Sequence, residues 1–232
     1  MNKFLRLGLL SLALMFVFNI VAVTETKAQG ILQEILNRMD KQNKSLVSLK
    51  ANVTMVKDNS QLGEVDETSG KTIYLPKQGK RPMYARIDWE KPKVEHLAVI
   101  GNEYTMYRPK NEQVLKGKTD STKTTAKAGG ALAFMSMSKE QLKVNYTVKY
   151  LGQVNVSGGI STWHLELTPK FAASYKSAEI WVDGNGMPIQ SKITEKNNDS
   201  TTILLSNLET NVTIDAKVFT INYPKSIKPI KG

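Results

Sequence analysis

The stretch "KRPMYARIDWEKP", Lys80 to Pro92, sets two arginines, a tyrosine and a tryptophan among apolar residues. In an extended chain successive side chains point to opposite faces. One face then carries Arg81, Met83, Ala85, Ile87 and Trp89, and the other Pro82, Tyr84, Arg86, Asp88 and Glu90. The first is an apolar wall with one charge at its edge; the second is polar and expected to face water. Such a strand belongs to a sheet with one covered face.

Working outward, the same alternation recurs along most of the chain. Strands are expected at Lys50 to Lys57, Val65 to Leu75, Tyr84 to Glu90, Val94 to Ile100, Tyr104 to Tyr107, Val144 to Val154, Thr162 to Thr168, Ala178 to Val182, Ile189 to Glu195, Thr201 to Leu208 and Val218 to Ile221. The connectors "DNSQLG", "KQGKRP", "GN", "PKNEQ", "VSGGIS", "DGNGMP" and "KNNDS" are short and rich in turn formers. Strands joined this way form an antiparallel meander. Two helices interrupt the pattern. Apolar residues at Ile31, Leu32, Ile35, Leu36, Met39, Leu46 and Leu49 form one helical stripe. Between Gly117 and Lys143 a polar stretch leads into "ALAFMSMSKEQL", an apolar segment of helical propensity and a candidate lid. The expected fold class is therefore mainly β with helices: a curved antiparallel sheet forming an incomplete barrel, closed by the N-terminal helix and the short inserted helix.

At the N-terminus, Lys3 and Arg6 precede an apolar run from Leu7 to Val23 and a polar "TETKAQG". This is the pattern of a secretory signal peptide over residues 1–28, cut after Ala28, with an uncleaved membrane anchor as the alternative. The remaining residues, 29–232, are expected to form one domain in the periplasm. The chain has no cysteine, so it has no disulfide, thiolate metal site or cysteine nucleophile. Removing Lys3, Arg6 and Lys27 together with Glu25 lowers the formal charge from +11 to +9. That balance favours anionic surfaces such as lipid headgroups, with a solvated basic surface as the plain alternative, and no aromatic-basic nucleic-acid motif is present.

Catalytic chemistry is poorly served. His96 and His164 stand in no metal-ligand spacing, no G-x-S-x-G presents a serine, and His164 alternates outward from Trp163 and Leu165. "DGNGMPIQ" contains part of a calcium-loop pattern, but lacks its closing acid and reads as a hairpin turn. No enzyme activity, metal or cofactor is expected. The apolar inventory remains: Ile73 and Leu75, Val144 to Tyr150 in alternation, Trp163, Leu165 and Leu167, Ile180 and Val182, Phe219 and Ile221, with Leu132, Phe134, Met135 and Met137 on the inserted helix. Flexible methionines and aromatics on a curved sheet suit chains of no fixed shape. The expected cavity lining is Met83, Ala85, Ile87, Trp89, Leu132, Phe134, Met135, Trp163 and Leu165.

In the order "SLVSLKANVTM", "KRPMYARIDWEKP", "VIGNEYTMYRPKNEQV", "WHLELTPK", "EIWVDGNGMPIQSKI" and a closing strand with F-x-x-x-x-P, the sequence resembles the periplasmic lipoprotein carrier proteins, LolA-like. The resemblance implies an incomplete barrel lidded by helices, whose cavity takes the acyl chains of lipoproteins. It also implies a soluble monomer that receives cargo from an inner-membrane ABC-type releasing complex and delivers it to an outer-membrane acceptor. It carries the lid-holding role onto Arg81 in the Arg81-Pro82 pair. Ala85 stands where the family often has a phenylalanine that matters for transfer. A lipid-responsive envelope sensor, or a carrier of free lipid or glycolipid, would share the same architecture.

Overall fold

The computed structural model describes residues 28–119 and 137–232. Helix α1 spans 28–45 and is followed by β1 (Leu49–Asn59), β2 (Glu64–Leu75), β3 (Tyr84–Lys91), β4 (Glu95–Ile100), β5 (Glu103–Arg108) and β6 (Gln113–Lys118). After the undescribed residues come α2 (Lys139–Asn145), β7 (Tyr146–Val156), β8 (Ile160–Pro169), β9 (Tyr175–Val182), β10 (Pro188–Glu195), β11 (Ser200–Thr210) and β12 (Ile230–Lys231). Short 3-10 turns occupy Pro109–Asn111 and Ala216–Phe219.

All twelve strands form one sheet in the order β12-β6-β5-β4-β3-β2-β1-β11-β10-β9-β8-β7. Every pairing is antiparallel except β12 with β6. The sheet is not closed into a barrel, since its margins are β7 and β12. The expected class, a mainly β protein with an open, curved antiparallel sheet and accompanying helices, is what the chain adopts.

Several local expectations are corrected. β6 lies outside the expected strands, because only Val114 and Leu115 stand between polar neighbours. The segment Val218 to Ile221 is not a strand: it enters as a 3-10 turn. Val144 lies in the last turn of α2 instead of opening a strand, and it is 62% exposed. Ile73 and Leu75 lie on the opposite face from Ile87, because they pair with Arg86 and Tyr84, while Thr72 and Tyr74 point inward with Ile87 and Ala85. Helix α2 starts after Ser138, whose hydroxyl accepts from the Gln141 N–H while the Gln141 side chain accepts from the Ser138 N–H, a capping box. The expected signal peptide, the polar half of the insertion, and Leu132, Phe134 and Met135 lie outside the described residues.

Two apolar clusters hold the sheet. In one, Ile35, Leu36 and Met39 of α1 and Leu142 of α2 pack on Leu165, Leu167, Ala178, Ile180 and Val182 of β8 and β9. In the other, Leu49, Ala51, Val53 and Met55 of β1 join Ile87, Trp89, Leu97, Ile189, Ile203 and Leu205. Fully burying one such side chain stabilises by about 1.5–3 kcal/mol. Among the described residues the helices therefore cover the β7–β9 half of the inner face and not the β2–β6 half.

Candidate functional site

Register shows what that other half presents. One row of paired residues crosses Leu49, Tyr74, Ala85, Val99 and Tyr104; the next crosses Ala51, Thr72, Ile87, Leu97, Met106 and Leu115. Leu49, Ile87, Leu97 and Tyr104 are buried, but Tyr74, Ala85, Val99, Met106 and Leu115 are only half-buried. The inner wall of β2–β6 is thus apolar and incompletely covered. Gly70 stands opposite Trp89, and an added Cβ there would lie 2.1 Å from the Asp88 carbonyl oxygen, so only glycine permits this approach.

Arg81 and Met83 sit just before β3, in the connector from β2. The Arg81 backbone pairs with Gln78, and one guanidinium Nη donates to the Pro76 carbonyl and to Gln78 Oε1, both at 3.2 Å. Its Nε is buried and meets no hydrogen-bond acceptor among the described residues. A buried donor without a partner is costly.

The sequence-selected residues separate into two groups. Met83, Ala85, Ile87 and Trp89 share the open half, with Ile87 and Trp89 at its buried base. Leu165 is fully buried under α1 and α2, and Trp163 lies half-buried at that cluster's edge. The Arg38 guanidinium stands 5.4 Å over the Trp163 ring, pairs with Glu34 at 2.6 Å and donates to the Gly184 carbonyl. α1 is thereby fixed to the Asp183–Met187 turn. In that turn Asp183 Oδ1 accepts from the Asn185 and Met187 N–H groups, as a hairpin requires. Where α1 passes the segment leading into α2, Met39, Leu46, Met137 and Met187 line a crevice of about 10 Å³, room for little more than one water.

The outer face holds what sequence reasoning missed. Arg86 pairs with Asp88 through two bonds of 2.7 and 2.9 Å, His96 Nδ1 lies 2.6 Å from Asp88 Oδ1, and an Arg86 Nη donates to the Val218 carbonyl. Burial alone would raise the Asp88 carboxyl, but the hydrogen bonds and charges of Arg86 and His96 hold it below its ordinary value. Tyr84 meets the buried Phe219 at 5.2 Å between rings, so Phe219 belongs to a tail covering the outside of the sheet and not to the inner wall. His164 does point outward, yet it is bonded to Glu179 at 2.7 Å and stacked on Trp181 at 4.3 Å. The signal for the tail was the run Val218, Phe219, Ile221, which needs cover of its own.

Among solved structures, the chain is similar to an uncharacterized conserved protein from Thermus thermophilus, at 15% identity and a TM-score of 0.54 over 87% of this chain and 99% of that one. It is also similar to MucB, at 12% identity and a TM-score of 0.53 over 82% of this chain and 62% of MucB. These likenesses establish a shared fold. No curated sequence matches the chain. Residues 44–222 match the family described as outer membrane lipoprotein carrier protein LolA, a span that contains the whole sheet apart from β12 and the whole apolar wall. The chain belongs to the LolA family of outer membrane lipoprotein carrier proteins.

Proposed function

We propose that this protein is a periplasmic carrier that takes the acyl chains of lipoproteins onto the inner wall of β2–β6 and moves them from the inner to the outer membrane. The observation that carries this reading is the set of half-buried apolar residues Tyr74, Ala85, Val99 and Met106 on the inner face of a sheet that is not closed. At about 0.8 kcal/mol per buried methylene, one chain of about fifteen carbons contributes on the order of 10 kcal/mol gross. Release into water at that cost is slow, so cargo passes by exchange: in from an inner-membrane ABC-type releasing complex and out to an outer-membrane acceptor. In this reading Arg81, whose buried Nε meets no acceptor among the described residues, is the group that holds the cover closed over the chains.

The test is native mass spectrometry of protein recovered from its own periplasm, followed by transfer to acceptor membranes. The expected result is an acylated polypeptide bound to the carrier and delivered to the membranes. Free lipid with no polypeptide would overturn the lipoprotein cargo, and a loaded protein that never delivers would overturn the shuttle. Arg81→Leu should shift loading or release by roughly tenfold or more, the value of a charge-assisted hydrogen bond, with an unchanged circular dichroism spectrum.

A further inference from the structure

We infer that the corner of the sheet built by the α2–β7 junction and the β8–β9 turn is a docking surface for an anionic phospholipid bilayer. Phe171 in the turn is 68% exposed and Val144 at the end of α2 is 62% exposed. The backbone holds the two segments side by side: Tyr146 pairs with Pro169, and the Lys170 N–H donates to the Asn145 carbonyl at 2.9 Å. Lysines flank both apolar residues. Lys170 Nζ donates to the Lys143 carbonyl, Lys143 Nζ to Gln33 Oε1 and Lys139 Nζ to Asn37 Oδ1. All three ammonium groups meet neutral oxygens, so their charge is not cancelled by a salt bridge among the described residues. Exposed Lys176 follows in the same turn region, and the acids nearest in sequence or register are Glu140 on α2 and Glu166 opposite Lys149.

Charge together with the size and exposure of its apolar tips favours this corner over its neighbours. In an antiparallel meander alternate connections fall at the same end of the sheet, which places Leu62, 67% exposed, and Val94, 49% exposed, on the same rim. Leu62 and Val65, however, stand among Glu64, Asp66 and Glu67, which an anionic surface repels, whereas Val94, between Lys93 and a Glu95 paired with Arg108, adds a smaller and less exposed apolar tip to the same rim. At the 143–144 and 170–171 corner two strongly exposed bulky side chains, one of them aromatic, stand beside positive charge that no salt bridge among the described residues cancels. That is the chemistry of interfacial binding: apolar tips enter the headgroup boundary while ammonium groups meet phosphates. The corner also adjoins β7, one margin of the sheet. This surface rests on the carrier reading for its purpose and on its own chemistry for its existence.

The experiment is vesicle co-sedimentation of the processed chain recovered from the periplasm. Vesicles of phosphatidylethanolamine with phosphatidylglycerol are compared with vesicles of phosphatidylcholine. The expected result is preference for the anionic vesicles. Phe171→Ala with Val144→Ser weakens partitioning about tenfold, and Lys143→Gln with Lys170→Gln removes the preference. Equal binding to both vesicle types, or four substitutions without effect, would overturn the proposal. The same proteins are assayed for uptake of a fluorescent acyl chain in vesicle-free solution. Intact uptake with no vesicle preference overturns docking alone, whereas vesicle preference without uptake upholds docking and overturns the carrier reading.

Discussion

At the scale of single residues, the alternation in Lys80–Pro92 correctly places Ile87 and Trp89 in the interior, because a strand's period of two leaves no third direction for them. Arg86 and Asp88 were legible as facing the other way, but not as covered: the Val218 carbonyl that Arg86 meets lies 132 positions along the chain. Their environment has a pH consequence. The Asp88 carboxyl is held below its ordinary value in the folded protein, so the unfolded chain takes up its proton first as pH falls. The contribution of Asp88 is therefore complete above about pH 4, the unperturbed value, and is lost as pH drops through the lower folded value. Urea midpoints measured down the acid range should fall more steeply for wild type than for Asp88→Asn. Parallel curves for the two proteins would mean that the Arg86 and His96 contacts do not depress the carboxyl.

At the scale of elements, long strands with clear alternation were readable, and short or two-sided ones were not. β6 escapes because two apolar residues give too little pattern, although Val114 is fully buried. On β2 the more apolar pair, Ile73 and Leu75, points away from the wall; the wall instead uses Thr72 and Tyr74, since both faces of this strand are partly covered. In strands covered on both sides, hydrophobicity alone stops indicating direction. α2 is seven residues long, too short to persist by propensity, and depends on Leu142 and on its capping box. Ser138→Ala should cost about 1 kcal/mol, concentrated in this helix. Hydrogen exchange should show faster exchange across 139–145, with β9 and β10 unaffected. Uniform acceleration throughout the sheet would indicate that the helix and sheet unfold as one unit.

At the scale of the whole molecule, the antiparallel order and the N-terminal helix followed from pattern and turn chemistry, while the division of the sheet into a helix-covered half and an open half did not. That division arises from contacts between α1, α2 and β7–β9, joined only in three dimensions. The tail likewise became visible only once folded. Phe219 is 1% exposed, and Phe219→Ala should destabilise the fold by about 3–5 kcal/mol, read as a lowered denaturant midpoint with unchanged slope. A loss below 1 kcal/mol would show that the tail lies on the sheet without contributing to it. The two margins of that sheet differ. β12 and the Gly232 N–H, which donates to Lys116, occupy the middle of the six-residue β6, while β7 is bent by an irregularity between Tyr150 and Gly152. Edge-to-edge polymerisation needs two straight, vacant borders on every copy. Here one border is capped and the other kinked, so ribbon growth has no second end from which to propagate, and strand sharing through β7 stops at pairs.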